Sequence, residues 1–161
     1  MRSHEVFARM APERAEAFLA ELRQEAPQVS QMALAAAAGA FKLRPAFLKR
    51  QSKDKQAEWV RKALARGSMA AVAEEILAEY FLGHQKTLLV EWLDSVGLQH
   101  EDGVLKDAAP PPPESGSLRK AFDAFVAGEN PERRRLLLCA FAAQSAIDWP
   151  ELEGLLAGAE P

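Results

Sequence analysis

The chain has 161 residues, 48% of them hydrophobic and 27% charged, with a formal net charge of −3 and one cysteine, Cys139. These fractions are ordinary for a folded chain of a size that buries a core without metals or disulfides, and Cys139 has no internal thiol to pair with, which fits a reducing, cytoplasmic setting. The longest apolar run, Met32 to Phe41, falls short of the roughly 20 residues of a membrane span, and a pI near 5.7 excludes a globally basic nucleic-acid binder.

Met1 to Met10 carries Arg2, Glu5 and Arg9 without a long apolar run after them, which argues against a signal peptide. Pro12 opens a helix over roughly 12–25, with Phe18, Leu19 and Leu22 on one stripe. Pro27 opens the next, roughly 27–40. Its alanines let neighbouring backbones approach closely, which makes it a central helix, and Gly39 is its expected terminator. A short helix follows from Pro45 to Arg50. Ser52 is placed to cap a basic helix over roughly 53–66, closed by Gly67, and Ser68 to cap a helix with Val72, Ile76, Leu77, Tyr80 and Phe81 on one face. Gly83 marks a turn or kink. Leu88, Leu89, Trp92, Leu93 and Val96 then share one face of a strongly amphipathic helix that Gly97 ends.

Residues 99–117 hold Pro110 to Pro113, a run that favours a stiff polyproline II spacer. Helices are predicted at Leu118 to Ala127, at Pro131 to about Gln144 behind an Asn130 cap, and at Trp149 to Ala157, where Asp148 and Glu151 have capping-box spacing. Strand signals are nearly absent. The fold class is therefore all-α, with seven or eight helices in stacked antiparallel hairpins. The expected division is a main helical unit over 1–105, a proline-rich linker over 106–116 and C-terminal helices over 117–161 docked on the main unit.

Charge is distributed unevenly. Nine cations lie between Lys42 and Arg66 against only Asp54 and Glu58, which leaves +7 there and −10 in the rest of the chain. At about 100° per residue, Lys55, Trp59, Lys62 and Arg66 fall within one arc of the basic helix, and Lys49 and Arg50 lie just before it. A face of cations around an aromatic ring attracts anionic macromolecules. Lys49, Arg50, Lys55, Trp59, Lys62 and Arg66 are the expected partner-binding residues, with an acidic protein favoured over nucleic acid and self-association left open. The bland alternative is a solvated face, or one neutralised by the chain's own Glu74, Glu75 and Glu79.

Other chemistry-bearing residues carry weaker signals. His84, His100, Glu101 and Asp102 are ligand types at poor spacing, and a metal-dependent enzyme would need the His84 and His100 region to converge. Cys139 sits in an apolar helix and reads as a buried hydrophobe. Arg133, Arg134 and Arg135 stand near a helix start, where the macrodipole disfavours cations, and read as a solvated cluster. No phosphate-binding glycine loop, nucleophile elbow, Cys-x-x-Cys pair or dinucleotide fingerprint occurs. No cofactor and no metal site are expected, and the reading is a non-catalytic interaction module.

Overall fold

A computed structural model describes residues 1–158 and residue 161. Ten α-helices run through the described residues: α1 Ser3–Arg9, α2 Pro12–Glu25, α3 Pro27–Ala40, α4 Pro45–Lys49, α5 Lys53–Leu64, α6 Ala70–Glu79, α7 Lys86–Ser95, α8 Ser115–Val126, α9 Pro131–Ala142 and α10 Pro150–Leu156. The fold is all-α, with a slightly higher helix count than expected. The helix that patterning missed outright is α1, whose seven residues are too few to display a period. It buries Val6 and Phe7, and the Arg2 N–H donates to the Glu5 carboxylate at 2.9 Å across its first turn.

The Ala-rich α3 is central, as its small side chains dictate. Ala33 and Ala37 are completely buried, and α3 packs on α2, α4, α5 and α6. The predicted stripes of α2, α6 and α7 all face inward, and Trp92 and Leu93 are buried. Buried side chains from Val6 to Leu156 form one cluster, because α9 packs on both α1 and α6. Within it Trp92 packs tilted on Phe125 and edge-to-face on Phe141, and Phe141 edge-to-face on Trp149, with centroids 5.3, 6.0 and 5.3 Å apart. Such pairs contribute beyond their buried area. No helix among the described residues is long and apolar enough to cross a membrane.

Several ends differ from the sequence reading. Gly39 lies inside α3, and the left-handed residue that ends this helix is Lys42, with φ of 53°. The Leu43 N–H bonds to Ala38 O at 2.8 Å and the Lys42 N–H to Gly39 O at 3.2 Å, the paired bonds of a Schellman motif. Gly97 ends α7 in the same way, as expected, at φ 72°. A 3-10 turn, Gly67–Met69, takes up the Ser68 position, so α6 starts at Ala70 without a serine cap. Gly83 sits in a widened π-helical turn, Tyr80–His84, where the Gln85 N–H reaches back five residues to Tyr80 O at 3.1 Å. Asn130 precedes α9 in the left-handed region, and its side chain makes no capping bond. α10 begins at Pro150 behind Trp149, so Asp148 and Glu151 do not form the expected capping box.

Strands are not wholly absent. His100–Glu101 (β1) pairs antiparallel with Val104–Leu105 (β2). Asp102 and Gly103 between them both have positive φ, 54° and 91°, which is the turn that Asp-Gly favours in a two-residue hairpin. Pro110, first of the proline run, is buried, and its carbonyl accepts a 2.9 Å bond from the Trp149 indole N–H.

Candidate functional site

The basic segment occupies the corner where α3, α4 and α5 meet. Pro45 starts α4 with a preset φ, but five residues give one turn and a half. Only Leu48 of α4 is buried, and its neighbour Phe47 is left 48% exposed. The corner is fixed from below by the buried Gln56. Its amide donates to Lys49 O at 3.2 Å and Gln51 O at 3.0 Å, and it accepts from the Arg23 guanidinium at 2.8 Å.

The six predicted residues fall into two groups. Lys49, Arg50 and Lys55 are exposed, as are Lys42, Arg44 and Lys53 beside them in the chain. No ion pair within 4.0 Å engages any of these six among the described residues. The other three are occupied within the chain. Lys62 pairs with Glu58 one turn back at 2.6 Å. Trp59 is half-buried, edge-on to Phe41 with centroids 4.6 Å apart. Arg66 lies beyond the end of α5, its guanidinium 4.0 Å from the Phe41 centroid and donating to Ala40 O at 2.8 Å. Trp59 and Arg66 thus clamp α5 onto the end of α3, where a cation also meets the negative pole of the helix.

Two carboxylates temper the patch. A hydrogen bond from the Ser52 hydroxyl, with the backbone of Lys55, holds Asp54 below the usual carboxylate range. The hydrogen bond and charge of Lys62 do the same for Glu58. Glu74, Glu75 and Glu79 of α6 make no ion pair with the basic segment among the described residues. Phe47 is the residue that the sequence did not single out. Its signal was its setting, an aromatic between Arg44 on one side and Lys49 and Arg50 on the other.

The arginines at the start of α9 are not a solvated cluster. Arg133 pairs with Glu21 at 3.4 Å and Glu25 at 2.9 Å. Burial disfavours its charge, but Tyr80, Glu21 and Glu25 outweigh that and hold it protonated. Tyr80, buried beside the same carboxylates, has its hydroxyl pushed well above the ordinary phenol range, mainly by burial. Gln85 also donates to Glu25. Arg134 is buried, bidentate to Glu91 at 2.6 and 3.0 Å, 4.6 Å from the Phe125 centroid and bonded to Glu129 O at 2.9 Å. Only Arg135 is exposed. Distant glutamates on α2 and α7 outweigh the macrodipole cost that the sequence suggested.

His84 is exposed in the π-helical turn. His100 is engaged at both nitrogens, Nε2 with Asp94 at 3.0 Å and Nδ1 accepting the Gly103 N–H at 3.2 Å. Among the described residues no three His, Cys, Asp or Glu side chains gather as a metal would need. Cys139 is fully buried, and burial pushes its thiol up to about 11, only partly opposed by Arg9. In comparisons with known proteins, no family model, curated protein or solved structure matches the chain.

Proposed function

We propose that this chain is a cytoplasmic, non-catalytic interaction module that docks an acidic protein surface on its α4–α5 corner. The carrying observation is that Lys42, Arg44, Lys49, Arg50, Lys53 and Lys55 are exposed and without ion pairs among the described residues, in the same segment as the exposed Phe47. Unpaired cations raise the association rate with anionic partners, and an exposed aromatic in the same segment supplies an anchor of the kind that dominates protein interfaces. Nucleic acid is disfavoured because Trp59, the ring best placed for stacking, is half-buried and engaged edge-on with Phe41. One exposed ring remains, fewer than the successive aromatic platforms of single-strand binders.

The test is fluorescence anisotropy with a labelled peptide of alternating Glu, Leu and Phe, alongside single- and double-stranded oligonucleotides. The triple variant Lys49→Glu, Arg50→Glu, Lys53→Glu should lose peptide binding with helicity unchanged, since all three side chains are exposed. Peptide binding that survives this reversal would sink the reading. Tighter, steeply salt-dependent binding to the oligonucleotides would replace it with phosphate tracking.

A further inference from the structure

Among the described residues three large hydrophobic side chains are notably exposed: Phe47 at 48%, Leu82 at 37% and Val104 at 61%. The second and third belong to one feature. Leu82 of the π-helical turn and Val104 of β2 stand at the mouth of an apolar cavity of about 270 Å³, floored by Leu89, Leu93, Leu105 and Phe141. The β1–β2 hairpin roofs it. A β-carbon at Gly103 would meet Leu89 at 3.4 Å and Leu82 at 3.6 Å, ordinary van der Waals contact, so the roof lies against the wall of the cavity, and it is the φ of 91° that favours glycine there.

The charge around the cavity is opposite to that of the basic corner. From Asp94 to Asp107 the chain carries four carboxylates, Asp94, Glu101, Asp102 and Asp107, against one cation, Lys106. Asp107 lines the cavity itself. Lys86 neutralises Asp102 at 2.6 Å, while Glu101 and Asp107 are exposed and without ion pairs among the described residues. One segment of the molecule therefore presents an exposed aromatic ring flanked in the chain by exposed cations, Arg44 before it and Lys49 and Arg50 after it. Another presents an apolar hole beside carboxylates. A phenylalanine side chain is smaller than this cavity, and filling it would remove all three exposed hydrophobics from water together.

We infer that the partner of the basic corner is a second copy of this chain, with Phe47 of one molecule seated in the Leu82–Val104 cavity of the next. This rests on the docking role proposed above and names its partner. The two faces are different surfaces, so the contact is head-to-tail. The pair keeps one free cavity on the first molecule and one free corner on the second, so assembly continues into rings or filaments rather than stopping at a two-fold dimer. Charge complementarity orients the approach, and the aromatic anchor supplies the short-range fit.

Sedimentation velocity across micromolar to near-millimolar protein, at about 0.05 M and about 0.5 M salt, reads the result. The wild-type chain should show species beyond dimer that shrink at high salt. Phe47→Ser and Val104→Lys, both at exposed positions that folding does not need, should each weaken association at least about thirtyfold. The decisive arm is the mixture of the two variants. Phe47→Ser keeps its cavity and Val104→Lys keeps its Phe47, so together they should form one-to-one dimers and nothing larger. A wild-type chain that stays monomeric throughout, or a mixture no more associated than its components, would overturn the inference. Measuring the acidic peptide on the same preparations separates the two claims. Peptide binding by a strictly monomeric chain would leave the docking role standing and remove self-docking alone.

Discussion

Gly128 follows α8, donates its N–H to Phe125 O at 3.2 Å, and does not lie in the left-handed region. Alanine at such a position normally stabilises by about 0.5–1 kcal/mol through the unfolded chain. Here a β-carbon would sit 2.5 Å from Cζ, 2.6 Å from Nε and 2.8 Å from Nη2 of Arg134. A guanidinium is the mobile end of its side chain and would ordinarily swing aside. This one is pinned by Glu91, by Glu129 O and by the Phe125 ring. The Arg134 side chain is 10% exposed and that of Glu91 50%. Their pair is therefore discounted to about 1 kcal/mol, well below the 3–5 for breaking a fully buried one. Losing the bond to Glu129 O costs about 1 kcal/mol, and losing the ring contact about another 1. Set against the alanine gain, Gly128→Ala should destabilise by about 2 kcal/mol, a fall in Tm of about 4–8 °C for a chain of this length. Urea denaturation should show a lower midpoint at unchanged slope. In an Arg134→Leu background the same alanine should be neutral or stabilising. A neutral Gly128→Ala in the wild-type chain would refute the pinned-guanidinium account.

Lys42 holds a left-handed conformation that an L side chain adopts at a cost of about 1–2 kcal/mol. Lys42→Gly should therefore stabilise the fold by about 1 kcal/mol after glycine's unfolded-state entropy is counted, seen as a higher urea midpoint, while Lys42→Val should lower it; a glycine variant less stable than wild type would show that the lysine side chain makes a contact worth more than the strain. Cys139, whose thiol is raised from 9.0 to about 11 by burial, should resist a thiol reagent at neutral pH in the folded chain and react at once in denaturant. Its folded value lies above its unfolded one, so its contribution to stability is full below about pH 9 and is lost as pH rises toward about 11; a pH–stability curve that rises across that window would contradict the sign.

The sequence made the helices legible wherever apolar spacing was long enough to repeat. Phe18, Leu19 and Leu22, the Ala33–Ala37 pair and the Leu89–Trp92–Leu93 stripe all turned inward as the 3.6-residue period demands. It failed where short range does not decide. α1 is too short to show a period. Lys42 ends α3 three residues after Gly39, where the chain places Phe41 against Trp59 and Arg66. Asp-Gly at 102–103 is a hairpin signal of the same kind as Asn-Gly, and the two-residue strands around it leave no alternation to read. At the basic corner the charge excess was visible, but its internal use was not. That Arg66 and Trp59 serve the end of α3, and that Phe47 is exposed, depends on which way a helix of five residues turns between Pro45 and Arg50. The Arg133 and Arg134 pairs were invisible for a plainer reason, since their partners lie 108 and 43 residues away.

That first separation bears on how the molecule is made. Glu21 and Glu25 leave the ribosome on α2 with Arg133 still unsynthesised. At about 5–20 residues per second, the arginine follows Glu25 about 5–20 s later. In that interval α2, α3 and α5 have all emerged and can pack on one another, with Glu21 held by Arg14 of its own helix at 3.2 Å and Glu25 awaiting a counter-charge. The nascent intermediate is thus more acidic on this side than the finished protein until α9 arrives, which also brings the packing for α1 and α6, with α10 following to pack on α8 and α9.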